Sequence, residues 1–250
     1  MFNQIKETNK PFPYQTFSIV ITAACITFGT LAIPNFINVF GSNKTDINLV
    51  QYLSLIFQHG YDYKSGVIHF IGAAILFLFM GGTLEKLIGP NRFFVFNMSI
   101  ILIYGIAHKL IGLIGHGLTP VLFAYIPFLA YSLNEGRLIK TRSMYDEYYK
   151  TLWAVILSVI ILIPILFSIM PIYFDSDATF SQQIIQGNIL HLILLLTGAI
   201  FAFQWKEIAR HRLLHFAKKK KFPPHRFEKY TPYLGLIYPL ILIFVFITNK

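Results

Sequence analysis

Charge is scarce in this chain: 13% of its 250 residues are Asp, Glu, Lys or Arg, against about a quarter in soluble domains. The deficit is gathered into uninterrupted apolar runs too long for ordinary core helices, which excludes a soluble globular domain, a disordered chain and a nucleic-acid module. Cysteine is scarcer still. The single Cys25 lies within the first apolar run, so neither an internal disulfide nor a cysteine-based metal cluster can form, and the residue reads as a small packing group. Carboxylates are missing from the runs: all 11 Asp and Glu residues read as lying in tails, loops or loop edges. Proton- and cation-coupled transporters usually keep a carboxylate near the midplane, so this absence argues against them. What fills the chain is apolar, with 55% hydrophobic residues and a mean hydropathy of +0.60. These are the figures of an integral membrane protein.

The runs fall at 17–40, 67–83, 93–114, 118–133, 151–173, 188–204 and 232–248, which predicts an all-α, polytopic architecture of seven spans. The second, fourth and sixth are short and carry polar residues, as helices buried among their neighbours do. The first run is longer than the apolar region of a signal peptide and lacks a small-residue cleavage site, so it is taken as a retained span. With the N-terminus in the cytoplasm, seventeen Lys and Arg residues fall on the inner side and three on the outer, with Lys109 inside span three. That asymmetry predicts a multi-pass protein of the cell membrane with its N-terminus cytoplasmic and its C-terminus outside. The formal net charge of +10 is then mostly topology, and no nucleic-acid partner is expected. The organisation reads as a cytoplasmic tail (1–16), a six-helix membrane core (17–204), a basic cytoplasmic loop (205–231) and a seventh helix with its tail (232–250). Within the loop, the stretch from Lys206 has an amphipathic pattern, and Lys218 to Lys221 carry the charge to attract anionic lipid heads.

A charge at mid-bilayer costs at least about 2.5–3.5 kcal/mol even on lenient scales, so polar groups inside spans are functional suspects. Within or beside the spans stand His69, His108, Lys109, Thr119 and His191. Spans two, four and six all begin on the outer side, which predicts that His69, Thr119 and His191 share one level and converge. A hydroxyl and two imidazoles without a carboxylate are the ingredients of a Ser-His-type dyad with an oxyanion donor. Ahead of Thr119, Gly115-His116-Gly117-Leu118 lets the chain turn sharply. Thr119 as N-cap and Pro120 at the first helical position would then leave free backbone N–H groups at the hydroxyl. The same features also begin a purely structural helix, and taken alone Thr119 reads more as a cap than as a nucleophile and His69 or His191 more as a hydrogen-bonded core histidine than as a catalytic one. A zinc site from His69, His116 and His191 is not expected, because no HExxH or H-x3-H spacing and no carboxylate supports it. Nothing calls for a cofactor. His59, Lys109 and His116 read as solvent-facing.

These residues resemble the rhomboid family of intramembrane serine proteases. Span two and its exit carry His69, the pair Gly81-Gly82, Leu84-Glu85 and Gly89-x-x-Arg92-Phe93, a pattern similar to that family's. Gly117-Leu118-Thr119-Pro120 falls where the family has its Gly-x-Ser-Gly nucleophile motif, and His191 with Gly198 resembles its basic histidine. The resemblance covers roughly residues 50–205. It implies a rhomboid-like six-helix core plus one C-terminal transmembrane helix, with Thr119 and His191 at the catalytic positions and His69, Leu118 and Gly117 at the oxyanion and substrate-binding positions.

The departures sit where chemistry is most demanding. Thr119 replaces the serine, and its β-branch adds a methyl where the acyl carbon must approach. Pro120 replaces a glycine. Ala73 replaces the oxyanion asparagine, the kind of loss that costs about 10²–10³ in rate in a comparable protease. Leu194 replaces a small residue where spans four and six would pack, and small residues allow close helix approach. The resemblance therefore implies a membrane protein with weak or no peptidase activity that binds transmembrane segments of client proteins. The alternative is an active intramembrane endopeptidase using a Thr119/His191 dyad, and a transporter or channel is a third reading.

Overall fold

The computed structural model describes residues 12–33, 36–40, 49–59, 63–112, 117–138, 178–217 and 231–249. The fifth expected span (151–173), His116 and Lys218 to Lys221 lie outside the described residues. Within them the chain is helical, in the order α1 (Tyr14–Ala32), α2 (Phe36–Phe40), α3 (Leu49–Tyr52), a 3-10 turn (Leu55–Phe57), α4 (Tyr63–Ile88), α5 (Pro90–Ile111), α6 (Thr119–Leu138), α7 (Ala178–Ala217), α8 (Thr231–Gly235) and α9 (Ile237–Asn249). Three stretches, Val67–Ile88, Pro90–Ile111 and Ile185–Leu214, are long and apolar enough to cross a membrane, as about 20 residues suffice to do. This is the build of a multi-pass membrane protein. Shorter apolar helices run over Tyr14–Thr30, Thr119–Ser132 and Tyr233–Asn249.

Two element boundaries differ from the sequence reading for local reasons. The first apolar run is broken rather than continuous. The helix α1 stops at Ala32, Ile33 is extended, and Pro34 follows, a residue that disfavours helical backbone just before it. The sixth run is longer than expected: α7 continues to Ala217 through Lys206-Glu207-Ile208-Ala209-Arg210. Those residues are good helix formers, so the first part of the expected basic loop extends the membrane helix.

The helices α4, α5, α6 and α7 pack together, with α6 and α7 making the most intimate pair. Gly198 permits this. A Cβ there would collide with the Ala124 carbonyl, so only glycine allows α7 to lie so close to the α6 backbone. Leu194, one turn earlier, is fully buried in the same seam. The helix α1 lies against α4, and α8 and α9 lie against α1. Large apolar side chains such as Ile68, Leu110 and Phe203 are exposed, as on a lipid-facing exterior. Cys25 is exposed on α1 rather than packed inside.

One carboxylate is not at a loop edge as expected. Glu85 sits in the last turn of α4, 2% exposed, and reaches the start of α1. It accepts hydrogen bonds from the backbone N–H of Gln15 (3.2 Å), the backbone N–H of Thr16 (2.9 Å) and the Thr16 hydroxyl (2.8 Å). Helix starts leave N–H groups without partners, and α1 has no side-chain cap from its own Pro13. Glu85 supplies one from another helix. Gly81 makes room for it, since a Cβ there would press on Thr16 at 3.1 Å. Gln15 extends the junction, donating to the Pro90 carbonyl (2.6 Å) and accepting from the Tyr238 hydroxyl (3.1 Å). The motif residues around Gly81 and Glu85 thus tie α1, α4, α5 and α9 together at one end.

Candidate functional site

At the opposite end of α4, three segments meet at the start of α6. His69 stands in the second turn of α4, Thr119 opens α6, and the turn Leu55–Phe57 delivers His59 between them. The Thr119 hydroxyl lies 2.9 Å from His69 Nε2, hydrogen-bond distance. The expected convergence of His69 and Thr119 is present in the structure.

His191 takes a different place. Its ring stacks on Phe123, with centroids 4.3 Å apart and planes 15° apart, and Phe123 is one helical turn beyond Thr119. Its Nδ1 is buried without a hydrogen-bond partner among the described residues. No hydrogen bond links His191 to Thr119 among them. His191 therefore lies along the same α6–α7 seam, but its ring is engaged by an aromatic face rather than by the hydroxyl. Ala73, one turn after His69, is buried and presents no polar group.

The two residues before Thr119 are held firmly. Gly117 has φ of +128°, in the range that disfavours side chains, and a Cβ there would press on His59 at 3.1 Å. Its N–H donates to the Leu55 carbonyl (3.2 Å), and the Leu118 N–H donates to His59 Nε2 (3.1 Å). The backbone N–H groups of Gly117 and Leu118, two of the residues at the expected oxyanion and substrate-binding positions, are therefore already engaged inside the protein. The Leu118 carbonyl accepts from the Val121 and Leu122 N–H groups and starts α6.

His59 is the residue that the sequence reading misplaced. Expected to face solvent, it is 3% exposed, packed edge-on against Phe70 and His69 at centroid distances of 5.3 and 5.5 Å. Because Nε2 accepts from Leu118, the ring proton belongs on Nδ1, which lies 3.3 Å from the Phe57 carbonyl and 3.5 Å from the Thr27 hydroxyl. A signal was present in the sequence: the apolar triplet Leu55-Ile56-Phe57 lies just upstream, separated from it by Gln58, and all three are buried. Their burial draws the following Gln58 and His59 inward.

Chemically, the cluster offers one hydroxyl with an imidazole partner, a second imidazole that holds the backbone, and no carboxylate among these residues. A paired hydroxyl and imidazole can exchange a proton, but an acyl-transfer site also needs donors aimed at the developing oxyanion. No family model, no curated protein and no solved structure matches the chain.

Proposed function

We propose that the chain is a rhomboid-like membrane protein with weak or no peptidase activity, which holds transmembrane segments of client proteins. The reading includes a six-helix core with a seventh C-terminal helix, a cytoplasmic N-terminus and an outer C-terminus. One observation carries it: the groups at the expected catalytic and oxyanion positions are engaged in contacts other than a Thr119–His191 dyad with open oxyanion donors. Thr119 is bonded to His69, His191 is stacked on Phe123, and the Gly117 and Leu118 N–H groups are bonded to Leu55 and His59. A peptidase needs the base on the hydroxyl and those donors open.

The client surface in this reading is the outer face of α4 beside His69. Ile68, Ile71, Ile75 and Phe79 are exposed along it, and Gly72 among them has nothing within 4 Å of where its Cβ would be. An apolar face with a glycine lets a second helix approach closely. The test is photo-crosslinking in native membranes from a benzophenone amino acid at Ile71 or Ile75, with Ile200 on α7 as the control. Discrete adducts with membrane-spanning proteins at the α4 positions only are expected. Indiscriminate labelling at all three positions would refute a client surface on α4.

A second reading has a specific observation in its favour. The Thr119–His69 distance of 2.9 Å is the reach that a nucleophile and its general base require. In this reading the chain is a peptidase in which His69, rather than His191, removes the hydroxyl proton. Cleavage abolished by His69→Ala and retained by His191→Ala would select it over the Thr119/His191 dyad.

A further inference from the structure

We propose that the cleft between the start of α5 and the C-terminal third of α7 binds the phosphate of an anionic glycerophospholipid. The proposal rests on the chain being membrane-embedded and is independent of whether Thr119 has any chemistry. The cleft has a volume of about 220 Å³, with Gly89, Asn91, Arg92 and Val95 on one side and Trp205 and Arg212 on the other. That is smaller than the roughly 300–1,000 Å³ of pockets that enclose a whole small molecule. It suits one end of a ligand whose remainder lies outside.

Its chemistry selects an anion. Arg92 and Arg212 are among the residues lining it, and none of the described residues lining it is acidic. Arg212 is held in place: its Nε–H donates to the Lys86 carbonyl at 3.1 Å, and its guanidinium lies over Gly89, where a Cβ would come within 2.6 Å of Nη1. Gly89 has φ of +84°, which favours glycine. The 22-residue helix α5 begins there with no side-chain cap, so its positive dipole end and the first-turn N–H groups of Asn91 and Arg92 face the same space. Guanidinium forks and helix N–H groups together match a phosphate's oxygens.

Its position selects a lipid. The cleft lies where α4 ends and α5 begins, and where the apolar stretch of α7 is running out toward Leu214. Trp205 stands at that level, as tryptophan does at membrane interfaces. From Val95 an exposed apolar stripe continues through Leu102 and Ile106, seven and four residues apart and so on one face of α5. A phosphate in the cleft would carry an acyl chain along that stripe.

Trp205 reports on the site. The chain has two tryptophans, so Trp153→Phe leaves Trp205 alone, and the difference between the parent and Trp205→Phe gives the same signal should that variant not fold. The full chain is reconstituted in phosphatidylcholine bilayers with phosphatidylglycerol or phosphatidylcholine bearing brominated chains, which quench nearby tryptophan. The expected result is several-fold stronger, saturating quenching by the phosphatidylglycerol, reduced to the phosphatidylcholine level in Arg92→Gln and in Arg212→Gln, and unaffected by millimolar inorganic phosphate. Arg92→Gln stands alone as the test should loss of the Lys86 contact unfold Arg212→Gln. Equal quenching by both lipids overturns the proposal while leaving the membrane reading intact. Quenching by neither lipid overturns both. Loss of the phosphatidylglycerol preference in inorganic phosphate assigns the cleft to soluble phosphate and overturns the lipid.

Discussion

Two side chains outside the expected site hold most of the local design. Glu85 is the only acceptor shown for the first two N–H groups of α1 that reach it, Gln15 and Thr16, and both residues are fully buried. Glu85→Ala should cost about 1–3 kcal/mol for each N–H left without an acceptor. Glu85→Gln, which keeps one acceptor oxygen, should cost clearly less, and thermal unfolding in detergent ranks the two. His59 has a parallel role at the other end, since His59→Ala removes the acceptor of the Leu118 N–H and leaves a cavity beside Phe70. We expect destabilisation of at least about 1–3 kcal/mol from the orphaned donor alone, read as a lower melting temperature. An unchanged melting temperature would show that His59 does not hold the start of α6. At this scale the sequence disclosed His69 and Thr119 through the shared level of two spans, and the pair does meet. It did not disclose Glu85, whose role depends on which helix end lies across from it, and it pointed to His59 only through the apolar Leu55-Ile56-Phe57 run just upstream, which shows burial but not the Leu118 N–H that the ring accepts.

Among the elements, the α6–α7 seam is the most demanding contact. Gly198→Ala places a methyl against the Ala124 carbonyl, and overpacking of this kind typically costs about 1–3 kcal/mol. Gly187→Ala, also in α7 but with open space around it, should be neutral or stabilising, since alanine is favoured over glycine in a helix by about 1 kcal/mol. Comparing the melting temperatures of the two variants isolates packing from helix propensity. If they shift alike, the seam is looser than the structure has it. The apolar runs placed α4, α5, α6, α7 and α9 in the sequence because membrane helices must be apolar over their whole length. Their ends were less legible. A strong helix former such as Lys206 or Glu207 extends a helix past the apolar stretch, as in α7, and Pro34 shortens one within it, as in α1.

For the whole molecule, the distribution of Lys and Arg predicts an orientation that the helices alone do not carry. In a Cys25→Ser background, single cysteines at Lys44 and Lys250 should react with a membrane-impermeant maleimide added to intact cells. Cysteines at Arg142 and Lys219 should react only after permeabilisation. The reverse pattern would turn the chain over and move the His69–Thr119 cluster to the inner side. The family-like pattern is unevenly matched by the geometry. Gly81, Glu85 and Gly89 have structural work in holding α1, α5 and α7 together, whereas Thr119, His191, Gly117 and Leu118 make contacts that leave little for an incoming peptide.

The most direct measurement is cleavage of model single-span substrates by the purified, reconstituted chain, beside Thr119→Ser, Thr119→Ala, His69→Ala and His191→Ala. The account predicts no cleavage by the parent and none by Thr119→Ser, because restoring a serine does not bring His191 to the hydroxyl or free the Leu118 N–H. Cleavage by the parent that disappears in Thr119→Ala and in either histidine variant would contradict it.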